Sequence, residues 1–142
     1  MEILSKSALE TENIGKKLAK ILKGTEIIAL YGDLGAGKTA FTRGIADFFG
    51  IKDIVSSPTF SIMNEYESDK CKIYHFDMYR VNSTEDLEST GFFDCIGNGI
   101  VIIEWAQNIE RDLPRDVIKI YINKTNNDEN TRIIKIEGAE IS

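Results

Sequence analysis

An apolar run at 27–31, IIALY, breaks directly into GDLGAGKT at 32–39. Three glycines within six positions are a poor ending for a strand unless the backbone must adopt positive φ there. The octet fits the pattern G-x-x-x-x-G-K-[ST], with a strand before it and helix periodicity after it, the context this phosphate-binding loop requires. Gly32, Gly35 and Gly37 allow consecutive N–H groups to turn inward as an anion nest. A helix beginning near Lys38 adds its own free N–H groups and the positive end of its dipole. Lys38 is placed to reach β- and γ-phosphates, and the Thr39 hydroxyl to ligate Mg²⁺. The stretch Asp33, Leu34, Gly35, Ala36, Gly37, Lys38, Thr39 and Ala40 is therefore the expected nucleotide-binding segment.

The rest of the chain supplies the frame. Residues 7–23 carry Ile14, Leu18, Ile21 and Leu22 at helical spacing, with Ser7 as N-cap and Gly24 closing the helix. Residues 26–31 read as a buried strand, and 38–49 as a helix through Phe41, Ile45 and Phe48 that Gly50 ends. Segments 60–66 and 71–77, parted by ESDK, suggest a hairpin. A short capped helix is expected at 83–90 and an apolar strand at 100–104. Two further strands, 116–123 and 131–136, flank the polar loop KTNNDEN. The expectation is one domain over 1–142, α/β in class: a three-layer P-loop NTPase-like sandwich with a central mixed sheet.

Composition removes several alternatives. No apolar stretch is long enough for a membrane span, and the first residues lack the apolar core of a signal peptide, so a cytoplasmic protein is expected. Cys71 and Cys95 have no metal-ligand spacing and are read as reduced. With 23 acids against 17 bases, the net charge of −6 argues against charge-driven binding to a nucleic-acid backbone.

Holding phosphate is not hydrolysing it; that needs an acid at a neighbouring strand end to hold the metal's shell, and a group to orient water. Glu104 ends GIVIIE, the run most like the central strand of a P-loop sheet, and is the better candidate on local pattern; Asp77 ends KIYHFD, a less uniformly apolar strand. In SSPTF, 56–60, Thr59 could offer its hydroxyl to metal or γ-phosphate, or simply make a turn. His75, the single histidine, is read as a hydrogen-bonding strand residue rather than a base or metal ligand. Lys16, Lys17, Lys20 and Lys23 read as a solvated helix face, and the phenylalanines as core or partner surface.

Taken in order, GDLGAGKT, SSPTF, HFDMYR (75–80), DLESTGFFD (86–94) and IIEW (102–105) resemble the TsaE (YjeE) family. These are small bacterial P-loop ATPases of tRNA threonylcarbamoyladenosine (t6A) synthesis. The resemblance runs over about residues 5–136. It implies Mg²⁺-dependent ATP binding and weak intrinsic hydrolysis, stimulated by a TsaD–TsaB heterodimer that modifies adenosine 37 of tRNA. It implies that tRNA is met only through that complex, and that this chain resets it rather than transferring the threonylcarbamoyl group. By matching motif, Lys38 and Thr39 fall at the phosphate and Mg²⁺ positions, Thr59 at a switch-like threonine, and Trp105 beside the nucleotide. Asp77 and Glu104 become partners, Glu104 as metal ligand and Asp77 acting on the metal's water or the attacking water. Tyr79 and Arg80 complete the motif. One departure stands out: the family's Glu-Trp-Pro-Glu reads Glu104-Trp105-Ala106-Gln107 here, without the second acid.

Three rival functions are weaker. A small-molecule kinase needs an arginine-bearing lid, and Arg43, Arg80, Arg111, Arg115 and Arg132 are scattered. A GTPase would need an aspartate where Asn123-Lys124-Thr125-Asn126 ends in asparagine. A non-hydrolysing assembly factor would have no use for Lys38, Thr39, Asp77 and Glu104 together.

Overall fold

A computed structural model describes residues 1–33, 35–58, 62–126 and 128–142. In chain order its elements are β1 (Glu2–Ser5), α1 (Ala8–Ala19), β2 (Ile27–Tyr31), α2 (Lys38–Phe48), β3 (Met63–Glu67), β4 (Lys72–Asp77), α3 (Thr84–Ser89), α4 (Phe92–Cys95), β5 (Ile100–Glu104), a 3₁₀ segment (Ala106–Asp112), β6 (Ile118–Lys124) and β7 (Arg132–Glu137). The strands form one seven-stranded sheet in the order β1-β7-β6-β2-β5-β4-β3. The central four, β6, β2, β5 and β4, run parallel to their neighbours. β3, β7 and β1 are added antiparallel at the two edges. The sheet is mixed, as the sequence predicts.

Alternation along the strands explains the layers, because successive side chains point to opposite faces. Ile28 and Leu30 of β2 join Ile100 and Ile102 of β5 under α1 and α2, whose Leu18, Phe41 and Ile45 complete that core. Ile27, Ala29, Val101 and Ile103 face the other way and pack with Phe76, Leu87, Phe92 and Ile109 from β4, α3, α4 and the 3₁₀ segment. β2 and β5 thus need apolar residues at every position, which is why IIALY and IVIIE read as unbroken runs. β6 alternates instead, with Ile118, Ile120 and Ile122 buried and Lys119 and Tyr121 only partly so.

Ser7 caps α1 by accepting the N–H of Glu10. α2 ends as predicted: Gly50 takes φ +75°, its N–H bonds Asp47 O, and the N–H of buried Ile51 bonds Ala46 O. That pair of bonds is the Schellman arrangement. α1 lies directly on α2, and a Cβ on Gly44 would collide with the Glu12 carbonyl, so contact between the two backbones demands glycine.

Three differences from the sequence reading have physical causes. α1 stops at Ala19 rather than at 23, because Ile21 and Leu22 turn tightly back onto Leu18 and Ala19 and leave Ile21 exposed. β1 has no local signal and exists through pairing with β7, Ile3 opposite Ile134. α4 and the 3₁₀ segment each start from a left-handed residue, Gly91 and Trp105. The hairpin expected over 60–66 and 71–77 forms between β3 and β4, from Met63 onward.

Candidate nucleotide site

The site lies at the C-terminal ends of the parallel strands, where open α/β sheets gather ligands. β2 leads into the glycine loop, and the loop leads into α2. Gly32, Gly35 and Gly37 all take positive φ, at +149°, +77° and +111°. A side chain on Gly32 would also collide with the Ile122 carbonyl of β6, so the position is closed on steric grounds as well. Gly37 is the left-handed N-cap of α2 and has no side-chain cap bond, which leaves the helix's first N–H groups to the loop.

Lys38 is nearly buried, and its ammonium donates to Gly32 O at 2.8 Å, closing the loop on itself. A second cation supports the loop from outside: Arg132, the first residue of β7, donates from Nε to Ala36 O at 2.9 Å and from Nη2 to Gly35 O at 3.4 Å. Sequence reasoning listed Arg132 only as one scattered arginine. No local motif marks it, since its role depends on how β7 sits beside β6.

Glu104 ends β5, the strand next to β2. With Ser57 it joins Gly35, Gly37, Lys38 and Thr39 around a cavity of about 220 Å³. Its Oε2 accepts from Ser57 Oγ at 3.2 Å and lies 2.7 Å from His75 Nε2. Burial disfavours charge on this carboxyl, but the His75 imidazole, the Lys38 ammonium and the Ser57 hydroxyl outweigh it and hold the group below its ordinary value. Glu104 is therefore an anion facing the phosphate loop. Ser57 is the site residue that motif reading does not single out, and His75, expected as a hydrogen-bonding strand residue, makes its bond across to Glu104 on β5.

Asp77 sits one strand further out, directly opposite Glu104 in the β4–β5 register. Its carboxylate accepts the N–H of Tyr79 at 2.9 Å and does not line the cavity. Trp105 follows Glu104 with φ +60°, the one non-glycine residue with positive φ among those described. That turn brings its ring to 5.7 Å from Lys38 Nζ and 4.8 Å from the Tyr79 ring. Asn108 ties the 3₁₀ segment to the same corner by donating to Met78 O at 2.9 Å. Asp33 is exposed, Ala36 and Ala40 are buried, and Arg80 is exposed. Leu34 and Thr59 lie outside the described residues.

Two other hollows contrast with this one. One, about 600 Å³, lies between β1, α1 and the end of α2, with Ile3, Leu4 and Phe48 among its walls beside Glu10, Lys16, Lys17 and Lys20 of α1 and its end. Another, about 460 Å³, includes Lys124, Asn126 and Arg132 and so abuts the loop that Arg132 holds. Among the described residues no three His, Cys, Asp or Glu side chains gather as a metal cage. A cation here would find single hard oxygens, the Thr39 hydroxyl and the Glu104 carboxylate.

Comparison with known proteins gives the family. The family model for "Threonylcarbamoyl adenosine biosynthesis protein TsaE" matches residues 5–134. The tRNA threonylcarbamoyladenosine biosynthesis protein TsaE of Bacillus subtilis is 43% identical over 121 residues, covering 84% of this chain and 75% of that protein. Its namesake in Aquifex aeolicus is 42% identical over an alignment of 143 residues, covering 96% and 98%. Among solved structures, the crystal structure of Bacillus subtilis YdiB superposes with a TM-score of 0.78 at 34% identity, covering 96% of this chain and 83% of that one. With a family match across nearly its whole length and relatives above 40% identity over most of it, this chain belongs to the TsaE family.

Proposed function

We propose that this protein binds ATP with Mg²⁺ and hydrolyses it in support of tRNA t6A modification, with weak turnover alone and faster turnover on a TsaD–TsaB heterodimer. The observation that carries the reading is one cavity bounded by the glycine loop, Lys38, Thr39 and Glu104. The loop N–H groups and the α2 N-terminus take the phosphates, and Lys38 leaves Gly32 O to meet their charge. The residues present fit Mg²⁺, which prefers a few hard oxygens and completes its shell with phosphates and water. Thr39 and Glu104 would hold it; when bound, it supplies neutralisation of charge developing on the transferred phosphoryl group.

Asp77 neighbours Glu104 in register without touching the loop, so its proposed part is at one remove, toward water rather than metal. Trp105 covers the Lys38 side of the site, within reach of a bound nucleotide. Gln107, where the family's second acid would stand, is exposed and outside the cavity lining. A t6A role rests on family membership and on the names its relatives carry. Contact with tRNA would occur through the partner complex, in keeping with a net charge of −6. No helix among the described residues is long and apolar enough to cross a membrane, which fits a cytoplasmic setting.

The test is hydrolysis of ATP and GTP with and without the cognate TsaD–TsaB pair, for wild type, Lys38→Ala and Glu104→Ala. ATP-selective turnover that rises with the pair and falls at least about 100-fold in both variants is expected. Phosphorylation of a small acceptor, with no response to the pair, would replace this reading with a kinase.

A further inference from the structure

The site contains one polar group that the proposed chemistry does not use. His75 is the chain's single histidine and is fully buried on β4, between the apolar neighbours Tyr74 and Phe76. A polar ring in such a place needs a partner strong enough to offset its desolvation. It has one: Nε2 lies 2.7 Å from Glu104 Oε2, across the parallel pairing of β4 and β5. Nδ1 is buried without a partner among the described residues. A buried lone pair is tolerated more readily than a buried N–H without an acceptor, so the ring's proton belongs on Nε2, facing the carboxylate.

Both bonds to Glu104, from His75 and from Ser57, fall on the same oxygen. Neither bond engages Oε1, and Glu104 lines the cavity shared with Lys38 and Thr39. We infer that His75 is a positioning residue for Glu104: by donating Nε2–H to Oε2 from inside the core, it locks the carboxylate's rotation and presents a single oxygen to the phosphate loop. The inference rests on the nucleotide reading above and adds what that reading lacks, a reason for Glu104 to act as a one-oxygen ligand. Such a ligand suits the small octahedral Mg²⁺, whereas a freely rotating carboxylate can chelate a larger cation through both oxygens. Outer partners of this kind usually matter about 10- to 100-fold for metal affinity or activity.

Two readouts test it. With only one histidine, a long-range ¹⁵N spectrum of the wild-type protein reports its ring directly. The expected result is the Nε2–H tautomer, with resonances that move in Glu104→Gln; an Nδ1–H tautomer would overturn the inference. The second readout is the fluorescence of Trp105, the only tryptophan, during Mg²⁺ titration of the nucleotide-bound protein. His75→Leu should raise the Mg²⁺ needed for half the signal by about tenfold and change metal-free nucleotide binding far less, because His75 does not itself line the cavity. His75→Gln, which keeps an N–H donor, should recover most of that loss. Equal losses in the two variants, or none in His75→Leu, would also overturn the inference. The tautomer is read on intact wild-type protein, so a leucine variant that did not fold would leave that result decisive. A wild type with no Mg²⁺–nucleotide response would instead refute the nucleotide reading, while the tautomer would still decide the His75–Glu104 contact.

Discussion

The two halves of the sheet are built for different purposes. In the centre, β2, β5 and β4 are covered on both faces and carry the loop, Glu104 and Asp77 at their C-terminal ends. In the flank, β6, β7 and β1 bury one face only, and Leu4 and Ile133, paired across β1 and β7, stay exposed. Double cover packs the central strand ends from both faces; single cover suffices for a wall. The flank is not idle, however, since Arg132 extends from it to hold the loop's outer carbonyls.

Equal truncations in the two halves should break the comparison most sharply. Ile102→Ala, in fully buried β5, is expected to cost about 3 kcal/mol by urea unfolding. Ile133→Ala, in the exposed face of β7, should cost less than about 1 kcal/mol. Similar losses at both positions would mean that the halves share one degree of packing after all. Arg132→Ala sharpens the picture further. It removes the flank's grip on the loop but no core volume, so nucleotide affinity should fall about fivefold, roughly 1 kcal/mol, measured by Trp105 fluorescence. The thermal midpoint should stay within about 2 °C, as expected for a change well below 1 kcal/mol in a domain of this size.

The smallest effect lies at the foot of β2. Burial opposes charge on Glu26, but its carboxylate accepts the N–H groups of Lys23, Gly24 and Thr25, and these bonds hold it below its ordinary value of 4.5. A carboxyl depressed in the folded state stabilises above that ordinary value, and the contribution is lost as pH falls through the folded value. Glu26→Gln should therefore be modestly weaker than wild type in urea at pH 7, with the difference shrinking steadily as the pH is lowered below 4.5.

Legibility in the sequence follows the same division. β2, the glycine loop, α2 and β5 could be read because double cover demands unbroken apolar runs and positive φ demands glycine. β1 could not, because EILS is too short to show a period and owes its strand state to Ile133 and Ile134. Trp105 carried no backbone signal, since a left-handed tryptophan goes against residue preference and is imposed by the turn beside Tyr79. The acids of the site were legible as strand-ending carboxylates, and the more uniformly apolar strand before Glu104 already put it ahead of Asp77. Only the strand order puts Glu104 next to the loop and Asp77 beyond it. His75 was visible as a polar residue in an apolar strand, yet its partner lies 29 residues away and needed the β4–β5 register to be found.

The bond from Lys38 to Gly32 O has a consequence for which anions the loop will admit. Because the ammonium already has an acceptor, an arriving anion must compete for it, and the gain is only the difference between two hydrogen bonds. A small monoanion offers little beyond that difference. A polyphosphate, which also satisfies the loop N–H groups and the start of α2, gains many contacts at once. On the proposed reading, the folded-back lysine would set a threshold that single charges do not pass and chains of phosphate do.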